Sequence, residues 1–194
     1  DHIDHLEATM ARLDGQIDEV FAANTNEAGI PFDRARDHLD TIPGVAKRTA
    51  EGILAEIGAN MSIFPTAGHL ASWAGLAPGN NITGGKRGSG KTTPGNVWLT
   101  ENLVQCAWAA ARTRDTYLSA QFWRLARRIG KKKASIAVAH SILVICWHLI
   151  TNDADYDDLG GDYFTRRNDP DRHRDRLIEQ LHGLGYRVTL DRVA

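Results

Sequence analysis

The run from Ala134 to Ile150 decides most of what this chain can fold into. It is the most apolar stretch in the sequence, 17 residues long, and it follows Lys131-Lys132-Lys133 directly. A transmembrane helix needs roughly 20 predominantly apolar residues with few polar groups. This run is shorter and carries His140, Ser141 and His148. It reads as the buried core helix of a globular domain, and neighbouring segments must wrap it. They carry the spacing for that: Leu99, Leu103, Cys106 and Ala110 mark one face of a preceding helix, and Leu118, Phe122, Leu125 and Ile129 mark one face of the next. The only alternating stretch of useful length is Tyr186 to Leu190 near the end. The expected class is therefore mostly α. With 194 residues, 42% of them apolar, the chain is long enough for one domain with an appendage or for two small ones.

The appendage is at the N-terminus. Ile3, Leu6, Met10, Leu13, Ile17 and Val20 follow spacings of 3, 4, 3, 4 and 3, a heptad seam with charged residues elsewhere on the helix. It predicts a helix that pairs either with another helix in a coiled coil or with its own domain. Asn24 to Pro31 is a polar break. The first residues, Asp1 to His5, show neither a signal-peptide pattern nor an initiator Met, and suggest a piece of a longer chain. Cys106 and Cys146 fall within apolar helical stretches and read as reduced core thiols.

Positive charge is concentrated in three places, although the total of 23 Lys and Arg against 24 Asp and Glu leaves a net charge of −1. The first is residues 39–58, where Pro43-Gly44 separates two helical stretches as in a helix-hairpin-helix. Such a hairpin offers backbone N–H groups and a helix N-terminus to a phosphate, with Gly44 at the turn and Lys47 and Arg48 adding charge. The alternative is a purely structural hairpin. The second is the glycine-rich stretch 75–96, with Lys86, Arg87 and Lys91 among hydroxyls that include Thr83 and Ser89. Gly85 to Thr92 satisfies the Walker A pattern, but turn formers precede it and Thr93-Pro94-Gly95 interrupts any helix after it, so nucleotide hydrolysis is a minor reading. Glycine lets such a loop approach a phosphodiester closely. The third is Arg124, Arg127, Arg128, Lys131, Lys132 and Lys133. With Arg112 and Arg114 they make eight cations in 22 residues, where the only acid is Asp115. Phosphate contact is the preferred reading of that stripe. His140, Cys146 and His148 match no zinc spacing, and Asp153, Asp155 and Asp157 lack the Gly and Glu of a calcium loop, which leaves a solvated acidic turn.

Taken in order, Ile42-Pro43-Gly44-Val45 to Ile57-Gly58, Phe64-Pro65, Leu70 to Asn81, Gly84-Gly85-Lys86-Arg87, Gly95-Asn96, Ala137 to Leu143, Tyr156 to Phe164 and Leu184 to Leu190 resemble the C-terminal transposase domain of the IS110 family of insertion sequences. The resemblance covers about residues 35 to 194, and residues 1–24 resemble the coiled-coil helix that precedes this domain in the family. It implies three parts: 1–34, an amphipathic helix and linker; 35–165, the transposase domain; and 166–194, a helix and a short extended tail. It also implies a bacterial, cytoplasmic, nucleoid-associated recombinase that binds DNA and a non-coding bridge RNA; the heptad seam adds a homo-oligomer through residues 3–20, and the short apolar run predicts no membrane partner. The family's active site is composite: an N-terminal domain holds Mg2+ through carboxylates, and the C-terminal domain supplies a serine nucleophile. No cofactor is expected in this fragment, which should be inactive alone. Thr83 stands at the position of the family serine, and Ser89 is the alternative nucleophile on the same loop. The rival readings are a non-catalytic helix-hairpin-helix module that binds DNA and an NTP-binding enzyme with a P-loop-like turn.

Overall fold

A computed structural model describes residues 1–23, 29–78, 82–83, 85–87, 94–166 and 170–190, and the side chains of all of these except 82, 83, 86, 87, 170–173 and 176. The fold is mostly α, as expected. Helix α1 spans His2–Ala23, α2 Phe32–Asp40, α3 Lys47–Ile57 and α4 Ala67–Trp73. Two-residue strands β1 (Ile82–Thr83) and β2 (Lys86–Arg87) follow, then α5 (Val97–Ala110), α6 (Tyr117–Ile129), α7 (Lys131–Asn152), α8 (Tyr163–Arg166) and α9 (Pro170–Gly183).

Helix α7 is the axis of the domain. Ala134, Val138, Ala139, Ile142, Leu143 and Cys146 are fully buried on it, and α2, α4, α5 and α6 all lie against it. Among the described residues it is the one helix long and apolar enough to cross a membrane, and here it is a core helix. Full burial of a large apolar side chain stabilises by roughly 1.5–3 kcal/mol, so this face supplies much of the drive to fold. The expected faces of α5 and α6 are buried too, from Leu99 to Ala110 and from Leu118 to Leu125. Ile129 departs from the pattern at 37% exposed, because the chain leaves α6 at Gly130 with φ +83 and turns it away from the core. Among the described residues the alternating stretch Tyr186 to Leu190 forms no strand pair, and Tyr186 and Leu190 are exposed. Lone strands are marginal without a sheet to join.

Side-chain caps set the starts of α5 and α6. Asn96 accepts from the Leu99 N–H at 3.0 Å, and Thr116 from Ser119 at 3.3 Å. Between α2 and α3 the turn is seated directly on α5. A Cβ on Gly44 would lie 2.4 Å from the Ala110 nitrogen and 2.6 Å from the Cys106 oxygen, and its φ is +91. Only glycine meets both conditions at once.

The acidic turn after α7 is not simply solvated. Asp153, at φ +52, folds the chain back onto α2. His38 places Nε2 2.9 Å from Asp153 and Nδ1 2.7 Å from Asp155, and Arg34 donates to Asp153 at 2.7 Å. Tyr156 N–H donates to the Thr41 hydroxyl at 2.9 Å. Carboxylates only accept, so both ring nitrogens of His38 must donate and the ring is the imidazolium. Burial alone would lower its pKa, but the two carboxylates outweigh that and hold it above its ordinary value. The sign follows from linkage: a raised folded-state pKa gives stability that is complete below the unfolded value and is lost as pH rises through the folded one. The melting temperature should therefore fall between pH 6 and pH 8, and His38→Gln should flatten that dependence as measured by circular dichroism.

Helix α1 buries no residue. Phe21 meets Phe32 edge-on at 5.5 Å and ties its C-terminal end to α2. Along the seam Ile3, Leu6, Met10, Leu13 and Val20 are 47–62% exposed. A face of that size on one helix is material for association. Met10→Asp with Leu13→Asp should shift sedimentation at micromolar concentration toward the monomer; an unchanged profile would show that the seam does not self-associate.

Candidate nucleic-acid interface

The three basic regions are placed very differently. Arg124, Arg127 and Arg128 lie on the outer face of α6, and Lys131, Lys132 and Lys133 form the first turn of α7, so the two helices meet at Gly130 in a basic elbow whose six cations are all exposed. None of the six forms an ion pair among the described residues; two use aromatic rings instead. The Arg124 guanidinium lies 4.1 Å over the Phe164 ring, which stacks on Tyr117 at 5.2 Å, and Lys131 Nζ lies 5.4 Å from the Trp123 ring. Ring contacts hold a cation in place without neutralising it. Arg127 and Arg128 suit the C-terminal end of α6, where the helix dipole is negative. Three lysines at the positive N-terminal end of α7 oppose its dipole, and an anion bound there would relieve both terms.

In the hairpin the charge is already paired. Lys47 Nζ lies 2.7 Å from Asp18 of α1, and Arg48 pairs with Asp14 of the same helix. Arg36 of α2 reaches Asp18 at 2.7 Å and the buried Glu51 at 3.7 Å. The hydrogen bond from Lys47 is the main reason that the Asp18 carboxyl sits below its ordinary pKa, with the charges of Lys47 and Arg36 adding to it. Sequence reading found the hairpin cations but not these partners, because nothing in a heptad pattern says which acidic residues of α1 meet which helix. Gly44 turns its α-carbon toward α5, so the glycine serves packing whatever else the turn does.

In the glycine-rich stretch the backbone of β1 pairs antiparallel with β2, with Ile82 opposite Arg87 and Thr83 opposite Lys86. Gly85, at φ +76, belongs to the tight turn between them. The hairpin was legible in the Gly84-Gly85 pair, a turn signal for antiparallel strands that the phosphate-loop reading passed over. Ser89 and Lys91 lie outside the described residues, as do the side chains of Thr83, Lys86 and Arg87.

No group of three or more His, Cys, Asp or Glu among the described residues is placed to hold a metal ion. Burial pushes both thiols up, Cys106 as well as the fully enclosed Cys146, which agrees with inert core cysteines.

Residues 36–124 match the family described as "Transposase IS116/IS110/IS902 family". The match runs from α2 to the middle of α6 and ends at Arg124. The chain is 36% identical over 84 residues to the pilin gene-inverting protein of Moraxella bovis, which is 43% of this chain and 24% of that protein. It is 52% identical over 46 residues to the "Insertion element IS110 uncharacterized 43.6 kDa protein" of Streptomyces coelicolor, 24% of this chain and 11% of that protein. The chain thus spans a quarter or less of the length of these relatives.

The ion pairs between α1 and the hairpin give a measurable expectation. Asp14→Asn with Asp18→Asn should free Lys47 and Arg48 and speed amide exchange in α1. If those two cations reach phosphate, log K against log salt should steepen by about 2, at roughly 0.9 per phosphate; an unchanged slope would mean that they do not.

Proposed function

We propose, on the premise that residues 36–124 form a transposase domain of the IS116/IS110/IS902 family, that this chain contributes the nucleic-acid-holding and hydroxyl-bearing part of a DNA recombinase. The basic elbow at Gly130 is the observation that carries the reading: six exposed cations without an acidic partner among the described residues, next to the matched segment. They hold the sugar–phosphate backbone without regard to sequence, so specificity comes from elsewhere. The family resemblance points to a non-coding bridge RNA for that role. The setting is the bacterial cytoplasm, at the nucleoid.

Thr83 is the proposed nucleophile. Its hydroxyl oxygen would attack phosphorus, forming a phosphodiester to the protein as one strand oxygen leaves and takes up a proton. Threonine is a poorer fit than serine here, because its methyl stiffens χ1 and crowds in-line approach, and misplacement by about 1 Å can cost on the order of 100-fold. Mg2+ belongs to the partner domain that the resemblance implies. The hairpin ranks behind the elbow as a phosphate contact, since its two cations are engaged by Asp14 and Asp18.

The test is duplex binding across a salt series. If about six phosphates are held, the slope of log K against log salt should be near −5, and Arg124→Glu, Arg127→Glu and Arg128→Glu together should reduce its magnitude by about 3 and weaken binding more than tenfold at low salt. An unchanged slope would overturn the elbow. With the rest of the recombinase, Mg2+ and guide RNA supplied, Thr83→Ser should raise covalent protein–DNA adducts and Thr83→Ala abolish them. Adducts that survive Thr83→Ala but vanish in Ser89→Ala would move the nucleophile to Ser89.

A further inference from the structure

The chain after α7 runs back over the domain as a strap fastened at two places. The first is the His38 clasp on Asp153 and Asp155. The second is the start of α6, where the Asp158 carboxylate accepts from the Tyr117 N–H at 3.0 Å and from the Gly160 N–H at 2.7 Å. Gly161 then donates its N–H to the Asp115 carbonyl at 2.9 Å, and a Cβ on it would lie 3.0 Å from the Asp115 α-carbon. Asp115 stands at φ +60, a conformation uncommon outside glycine that surrounding contacts must hold in place. Helix α8 begins two residues beyond this second fastening.

What α8 delivers to α6 is Phe164. Tyr117 and Arg124 lie seven positions apart on one face of α6, an interval of about 10.5 Å at 1.5 Å per residue. That leaves room for one aromatic ring between them, and Phe164 takes it. Its ring stacks on Tyr117 at 5.2 Å with 25° between the planes, and the Arg124 guanidinium lies over it at 4.1 Å. Tyr163 meets both rings edge-on at 5.1 Å and buttresses the stack.

The chemistry of this stack is directional. A guanidinium is planar and carries its five N–H donors in its own plane, so a ring beneath it takes up the face and leaves the donors. Arg124 commits none of them to a hydrogen bond or an ion pair among the described residues. Two parallel N–H donors of that fork match the two non-bridging oxygens of a phosphodiester. The strap's acids on either side of the stack have partners already: Asp158 holds Tyr117, and Asp162 pairs with Arg166 at 2.9 Å. Arg127 and Arg128 have no ring beneath them among the described residues, and Lys131, 5.4 Å from the Trp123 ring, is a point charge without a preferred plane.

We infer that Phe164 is a positioning residue of the basic elbow: wedged between Tyr117 and Arg124, it holds the Arg124 guanidinium in one plane, so that its fork meets a phosphodiester with two hydrogen bonds. This rests on the nucleic-acid reading above and assigns part of that site to α8, beyond the end of the matched family segment. A Phe164 that only packed α8 onto Tyr117 would have no bearing on how phosphate is held.

The experiment measures affinity for a blunt DNA duplex across a salt series with the full 194-residue chain, and follows the Arg124 Nε–H resonance in nitrogen-15-labelled protein. A proton over an aromatic face is shielded, so that resonance should lie upfield and should move when duplex is added. Phe164→Leu keeps apolar bulk without a π face; it should return the resonance to the ordinary arginine position and weaken duplex binding about threefold, and Phe164→Tyr should restore both. In an Arg124→Gln background Phe164→Leu should cost nothing further. Arg124→Lys leaves the strap and the charge in place, so it tests the same point even where Phe164→Leu loosens α8; it should weaken binding to a similar degree with the salt slope unchanged. The inference is overturned if Phe164→Leu leaves duplex affinity unchanged, if it costs as much in the Arg124→Gln background as in the native chain, or if Arg124→Lys binds as tightly as the native chain. A chain that shows the shielded Arg124 resonance yet binds no duplex at low salt would instead overturn the nucleic-acid reading, and with it the role given to Phe164.

Discussion

The burial of one face of α7 is the constraint on which the rest of the molecule depends. Helices α2, α4, α5 and α6 cover that face, α3 is held in turn by α2 and α5, and the ends of α7 inherit opposite tasks. At its C-terminal end the chain is drawn back onto α2 by Asp153 and Asp155, which share His38. At its N-terminal end three lysines point outward and meet the arginines of α6. A single apolar helix thus separates an end that is closed by its own ion pairs from an end that leaves its charge to be met by something else.

The near-neutral net charge conceals this division. Acidic groups are spent in internal contacts, on α1 against Lys47, Arg48 and Arg36 and after α7 against His38 and Arg34. The elbow cations have no such partners among the described residues. The balance of charge over a whole chain says little about the field at any one patch, since pairs inside about one Debye length cancel and unpaired groups do not.

Much of the scaffold was legible in the sequence. The core faces of α5, α6 and α7 follow from apolar spacing, and the turn at Gly44 from Pro-Gly, because both depend on local geometry. The His38 clasp was not legible: its partners lie more than a hundred positions away, and an Asp-rich turn looks solvated until a distant imidazole is brought to it. For the same reason the pairing of Asp14 and Asp18 with the hairpin could not be read from the heptads. The basic stripe of the proposed site was visible as eight cations with one acid, Asp115, whereas the backbone contact of Gly95 with Ala74 required the fold, since it joins residues 21 positions apart.

Helix α5 joins two of these features at its opposite ends. Its last turn carries the Gly44 turn, and its first turn is fixed by Asn96. Fourteen residues of α-helix span about 21 Å at 1.5 Å per residue. That is close to six steps of a duplex at 3.4 Å each. α5 therefore acts as a ruler: the Gly44 turn and the place where Gly95 meets Ala74 are held about one helix length apart.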